Sequence, residues 1–257
     1  MSAPPESIVA TPADGWALFL DIDGTLLEFA AHPAAVTVDQ DLAHLLRGLY
    51  DETGGAVALI SGRTLADADS LFAPLKLCVA GQHGAERRDF AGGLHLHAPP
   101  LDGLRRAAER LRRLVCGHPG LVLEEKGMNI ALHFRGAPPL EAELVPLLDR
   151  LVSELGQDFE LQAGKMVLEI KPTGKDKGTA IEEFMQEHPF RGRVPVFIGD
   201  DLTDEYGFAL VNRLGGHSIK VGPGASVAQW RLADASAVRG WLDRLAKKWQ
   251  TRCDTPA

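Results

Sequence analysis

Cysteine, positive charge and long apolar runs are all scarce in this sequence, and each shortage excludes something. Only Cys78, Cys116 and Cys253 occur in 257 residues, and no two form a C-x-x-C pair. An odd, scattered set is a poor disulfide framework, so reduced thiols and a cytoplasmic location are expected. Lysine and arginine number 27 against 35 aspartates and glutamates, a net charge of −8. Such a balance argues against a general nucleic-acid binder, although a local basic pocket can still hold one phosphate. The longest apolar runs are strand-sized, too short to span a bilayer, and the first residues lack the basic flank and apolar stretch of a signal peptide. Internal repeats are absent. At 45% hydrophobic and 24% charged, the composition is that of a soluble globular protein.

The apolar residues fall in short blocks that end on polar or glycine residues. Trp16–Leu20 runs into Asp21, Ala56–Ile60 into Ser61, Leu75–Ala80 into Gly81, and Val194–Ile198 into Gly199 and Asp200. Continuous apolar blocks of this length suit the buried strands of a parallel sheet. Between them, Leu42, Leu45, Leu46 and Leu49 make one helical stripe, and 178–187, 203–213 and 236–249 also read as helices. The alternation predicts an α/β doubly wound, Rossmann-like parallel sheet. Ligands of such sheets lie beyond the carboxyl ends of the strands, where Asp21, Ser61 and Asp200 fall.

The middle of the chain has another texture. Arg87–Ala98 alternates, Leu101–Cys116 reads as a helix, and Leu121–Lys126 pairs with Asn129–Arg135 around Gly127. Residues 139–155 are helical in pattern, with Pro146 expected to kink or split them. Phe159–Gln162 and Met166–Lys171 form a hairpin pattern around Gly164. The expected organisation is a core in two parts, 1–86 and 172–257, with an inserted α+β cap domain, 87–171, between them.

Four motifs carry chemistry. Asp21-Ile22-Asp23-Gly24-Thr25 follows a strand and places two carboxylates separated by one residue. One can attack phosphorus and the other can serve as acid and then base. A calcium loop is disfavoured, because the third ligand position lacks Asp or Asn and His32 stands at the twelfth. Gly199-Asp200-Asp201-Leu202-Thr203-Asp204-Glu205 offers hard oxygen ligands for Mg²⁺ at a second strand end. Its plainer alternative is a helix start with Thr203 as N-cap and Asp204 and Glu205 favouring the dipole. Ser61-Gly62-Arg63 supplies a hydroxyl, a main-chain amide and a guanidinium for phosphate oxygens. Lys177 and Gly178 precede a helix, where a lysine can neutralise a phosphoryl group. The run Gly174–Thr179 fails the nucleotide-loop pattern, having no glycine five residues before a Gly-Lys-Ser/Thr unit.

In this order the four motifs resemble the haloacid dehalogenase superfamily of phosphatases. The resemblance implies Asp21 as nucleophile, Asp23 as acid/base, and Ser61 and Lys177 as phosphate holders. It implies Mg²⁺ on Asp21, the Asp23 carbonyl and Asp200, with Asp201 and Asp204 as supporting ligands. Gly81-Gln82-His83-Gly84-Ala85-Glu86, Glu124-Glu125-Lys126-Gly127, His133-Phe134-Arg135 and Leu168-Glu169-Ile170-Lys171-Pro172 further resemble the trehalose-6-phosphate phosphatase family. That likeness implies a cap closing over a disaccharide, a Mg²⁺-dependent phosphomonoester hydrolase of trehalose biosynthesis, and a functional link to a trehalose-6-phosphate synthase. It also implies substrate contacts from Gly62, Arg63, His83, Glu124, Lys126, His133, Arg135 and Glu169. The pairs Glu124/Lys126, His133/Arg135 and Glu169/Lys171 each share one side of a strand. Spacing alone favours a solvated sheet face with cross-strand charge pairs; the resemblance reverses that reading, most clearly for Lys126, Arg135 and Glu169. Other readings are a capped phosphatase for sucrose phosphate, a glucosyl- or mannosyl-glycerate phosphate or a hexose phosphate, a phosphomutase, and a non-catalytic sugar-phosphate-binding subunit.

Overall fold

A computed structural model describes residues 15–28, 37–97, 99–164 and 166–253. Strands β1 (Trp16–Leu20), β2 (Val57–Ile60), β3 (Cys78–Gly81), β4 (Glu86–Arg88) and β5 (Leu94–Leu96) come first. With β10 (Val194–Gly199), β11 (His217–Val221) and β12 (Trp230–Leu232) they form one sheet, ordered β12-β11-β10-β1-β2-β3-β4-β5. The run from β12 to β3 is parallel, and β4 is antiparallel to β3.

Side chains alternate across this sheet with the period of two that a strand imposes. Trp16, Leu18 and Leu20 pack with Leu42, Leu46 and Leu49 of α1 (Gln40–Glu52), Phe72 of α2 (Leu65–Phe72) and Trp241 and Leu245 of α7 (Ala235–Cys253). Ala17 and Phe19 face Ile181 and Phe184 of α5 (Lys177–Met185) and Phe208 and Val211 of α6 (Asp204–Arg213). Helices on both faces explain why β1 and β2 are apolar throughout rather than alternating. The order of winding reverses at β1, with β2 and β3 added on one side and β10, β11 and β12 on the other, so the first strand ends at a topological switch point.

A second unit comprises Leu96–Lys175. Here α3 (Asp102–Cys116) and α4 (Glu141–Leu155) pack on an antiparallel sheet, ordered β6 (Val122–Glu125), β7 (Ile130–His133), β9 (Val167–Pro172), β8 (Phe159–Gly164). Leu104, Leu111, Leu144, Leu148, Ile130, Leu132, Leu168 and Ile170 fill its core. The boundaries differ from 87 and 171. Residues to His95 stay with the first unit, because β4 and β5 extend its sheet, and the return comes at Asp176. Pro146 does not split α4. It stands in the second helical turn, where its missing N–H forfeits a single bond near the helix start. Among the described residues no helix is long and apolar enough to cross a membrane.

Candidate active site

The turn after β1 is built around one carbonyl. Leu26 N and Leu27 N both donate to Ile22 O at 3.0 Å, and Gly24 N donates to Leu27 O at 2.7 Å. Gly24 takes φ +82°, a conformation that suits glycine. The tight loop leaves Asp21, only 4% exposed, at the strand end and frees Asp23 from the sheet.

Lys177 is the first residue of α5, whose start is pinned by a reciprocal capping box between Asp176 and Thr179. Its buried ammonium donates to Asp21 Oδ1 and to Asp204 Oδ1, each at 2.7 Å. The other oxygen of Asp204 accepts from the main-chain N–H groups of Asp200 (2.9 Å) and Asp201 (2.8 Å). Thr203, by contrast, makes no side-chain cap. Its helical backbone keeps the hydroxyl from the N-cap geometry, and the Asp204 carboxylate serves the loop amides instead. Gly199 lets that carboxylate in: a Cβ there would meet Asp204 Cγ at 2.3 Å. Lys220 donates to the Asp200 carbonyl, and Thr25 Oγ1 lies 3.5 Å from Asp200 Oδ1. Asp201 Oδ1 accepts from Leu202 N at 2.7 Å.

Carboxylate oxygens of Asp21, Asp200 and Asp204 all lie within 4.8 Å of one another. Burial is the chief cause raising Asp21 well above the usual carboxylate range, against the pull of Lys177. Burial, then the Asp204 charge, pushes Asp200 up to about 6. Lys177 is held firmly protonated, because Asp204 and Asp21 outweigh the burial that opposes its charge. One ammonium therefore faces three carboxylates, and hard oxygen donors in this arrangement fit a divalent cation such as Mg²⁺.

Ser61 immediately follows β2, and its Oγ accepts from Arg63 N at 3.1 Å. Arg63 grips Asp23 with two parallel bonds, Nε to Oδ2 and Nη2 to Oδ1, both 2.7 Å. The guanidinium thus lies on the second carboxylate of the first motif. Gln82 N donates to Arg63 O and His83 N to Ser61 O, which brings the Gly81–Glu86 segment against the serine loop. His83 sits at φ +57°, and its ring would lie 2.7 Å from a Cβ at Gly62.

In the second unit, Glu124, Ala131, Glu169 and Gln162 stand in one row across β6, β7, β9 and β8. Lys126 Nζ lies 3.8 Å from Glu124 Oε2 and 3.6 Å from Glu169 Oε1. His133 Nε2 is 3.0 Å from Glu124 Oε2, and this bond is the main reason Glu124 lies below the usual carboxylate range. Arg135 is exposed in the turn after β7, and among the described residues no hydrogen bond or ion pair joins it to the group. Sequence reasoning missed Thr25, Lys220 and Asn129. No hydropathy signal marks Lys220, because it and Ser218 break the apolar pattern of β11.

The trehalose-phosphatase family model matches residues 19–237. The chain is 46% identical over 249 residues to the trehalose-6-phosphate phosphatase of Escherichia coli K12, covering 96% of this chain and 93% of that one. It is 32% identical over 235 residues to a bifunctional trehalose-6-phosphate synthase/phosphatase of Thermoproteus tenax, spanning 89% of this chain and 31% of that protein. A crystal structure of a trehalose-6-phosphate phosphatase related protein superposes with a TM-score of 0.78 at 28% identity, covering 91% of this chain and 99% of the other. With a model that spans the first motif, the serine loop, Lys177 and the second acidic loop, the chain belongs to the trehalose-phosphatase family.

Proposed function

We propose that the protein hydrolyses trehalose 6-phosphate to trehalose and inorganic phosphate through an aspartyl-phosphate intermediate. The observation that carries this reading is the buried Lys177 ammonium, 2.7 Å from both Asp21, at the end of β1, and Asp204, at the start of α6, in a chain of this family. Asp21 attacks phosphorus as the bond to the sugar oxygen breaks, and Asp23 gives that oxygen its proton. Asp23 then takes a proton from water, which attacks phosphorus and releases Asp21. Arg63 orients Asp23 through both carboxylate oxygens, each of which keeps a lone pair for the proton. Ser61, the Gly62 amide and Lys177 hold phosphoryl oxygens, and His83 lines the substrate from the same loops.

Asp21, the Asp23 carbonyl and Asp200 would hold Mg²⁺, with Asp201 and Asp204 in support; the ion would offset the charge of the phosphate dianion as the carboxylate approaches. Asp204, committed to Lys177 and two amides, fixes the loop that carries Asp200. Glu124, Lys126, His133, Arg135 and Glu169 recognise sugar hydroxyls. A functional link to a trehalose-6-phosphate synthase is suggested by the bifunctional synthase/phosphatase relative. The free thiols of Cys78 and Cys116 suit a reducing cytoplasm.

Phosphate release with Mg²⁺ tests the reading, with trehalose 6-phosphate set beside sucrose 6-phosphate, glucose 6-phosphate and mannosyl-3-phosphoglycerate, and Asp21→Asn as blank. Preference for trehalose 6-phosphate, abolished in the variant, is expected. Preference for another ester would overturn the substrate, and binding without release would overturn catalysis.

A further inference from the structure

We infer that Asn129 is a positioning residue that fixes Glu169 and thereby sets selectivity for the sugar; this rests on the reading that the polar group of the second unit recognises sugar hydroxyls. Asn129 precedes β7 and is fully buried. Its Nδ2 donates to Glu169 Oε1 at 3.0 Å. A carboxylate only accepts, so the amide is oriented with nitrogen toward Glu169. Its carbonyl oxygen Oδ1 is then left buried with no hydrogen-bond partner. An unpaired buried carbonyl is costly, and an apolar residue would avoid the cost. What asparagine supplies here is the donor to Glu169.

The backbone of the same residue serves Lys126. Lys126 N donates to Asn129 O at 2.9 Å, closing the turn between β6 and β7 in which Gly127 takes φ +84°. Asn129 therefore ties together the cation and one of the two carboxylates that flank it. Ala131, opposite both Glu124 and Glu169, is small enough to leave room above the sheet for the Lys126 ammonium between them. A carboxylate held by a neutral donor keeps its charge and its orientation, both of which a hydroxyl donor on a sugar would sense.

Steady-state kinetics on trehalose 6-phosphate and on p-nitrophenyl phosphate, which lacks the sugar, test this with Asn129→Ala, Asn129→Ser, Glu169→Gln and the double variant Asn129→Ala/Glu169→Gln. The expected result for Asn129→Ala is a KM for trehalose 6-phosphate raised about tenfold, with a much smaller change in kcat. Its loss in kcat/KM on the sugar ester should exceed the loss on p-nitrophenyl phosphate about tenfold. The double variant should be no worse than Glu169→Gln alone, a coupling of about tenfold, or ~1.4 kcal/mol. Asn129→Ser retains a donor in a smaller side chain and should fall between wild type and alanine, which secures the test if the alanine variant does not fold. An unchanged KM in Asn129→Ala or Asn129→Ser while Glu169→Gln raises it, or losses that multiply in the double variant, would overturn the role of Asn129. An unchanged KM in Glu169→Gln would overturn the sugar-recognition reading beneath it, and the inference with it.

Discussion

Lys177 offsets two carboxylates, and at the scale of one residue this decides what each substitution should do. Replacing it with methionine keeps the length and removes the charge, leaving Asp21 and Asp204 buried together without their cation. Breaking a buried pair in this way costs about 3–5 kcal/mol, so the urea midpoint of Lys177→Met should fall sharply. Phosphate release should fall by at least ~10²–10³-fold, the usual loss when a preorganised donor to the reacting group is removed. An unchanged urea midpoint would show that the ammonium is not what lets the two carboxylates coexist. Gly199→Ala acts on the same group from behind, because the added Cβ meets Asp204 at 2.3 Å. Overpacking of this kind typically costs ~1–3 kcal/mol. It should also displace the loop that carries Asp200, so the variant should need more Mg²⁺ for half-maximal phosphate release. Equal Mg²⁺ dependence in variant and wild type would mean that Asp204 does not set the loop.

Single elements show which local signals survive folding. Helix α1 starts at Asp39, whose Oδ1 accepts from Leu42 N at 2.8 Å while Oδ2 pairs with Arg239 of α7. The bond from Leu42, followed by that from Arg239, holds Asp39 below the usual carboxylate range. Its stabilising effect is therefore present above the ordinary carboxylate pKa near 3.8 and is lost as pH falls through the lower folded value. Asp39→Ala should cost about 1 kcal/mol at pH 7, and the gap to wild type should close as pH falls below the ordinary carboxylate value in urea titrations. A gap independent of pH would assign the loss to packing alone. The helix was legible because its leucine stripe is regular, and β1, β2 and β10 were legible because burial on both faces made them apolar without interruption. Strand β11 was not legible. Ser218 and Lys220 break its pattern, yet both are buried, the lysine answered by the Asp200 carbonyl and the serine by Asn212 and Gln229. Hydropathy has no access to such partners. For the same reason the first two motifs were readable as chemistry, while the Arg63–Asp23 pair, 40 residues apart in sequence, and the Asn129–Glu169 bond needed the fold.

The whole molecule divides its chemistry between two units, each with its own apolar core. The carboxylate triad, Lys177 and the serine loop lie in the first, and the Glu124–Lys126–Glu169 group lies in the second. All four tryptophans, Trp16, Trp230, Trp241 and Trp249, also belong to the first unit, and Trp241 and Trp249 each make ring contact with Trp16. Tryptophan fluorescence therefore reports the unfolding of the unit that carries the triad. A cation that binds the native triad and not the unfolded chain must stabilise that unit by RT ln(1 + [L]/Kd), about 2.7 kcal/mol at a hundred times Kd. For a unit of this size that corresponds to a rise in Tm of roughly 5–10 °C. Mg²⁺ added to protein freed of metal by EDTA should raise the fluorescence-detected Tm by this amount. Asp200→Asn should abolish most of the rise, because it removes one of the three converging carboxylates. The same variant should be at least as stable as wild type in EDTA, since it relieves repulsion that burial and Asp204 impose on Asp200. A substitution that stabilises the metal-free protein while removing its response to Mg²⁺ separates a cation site from a structural carboxylate cluster. A Tm indifferent to Mg²⁺ in the wild type would mean that Lys177 alone balances the triad.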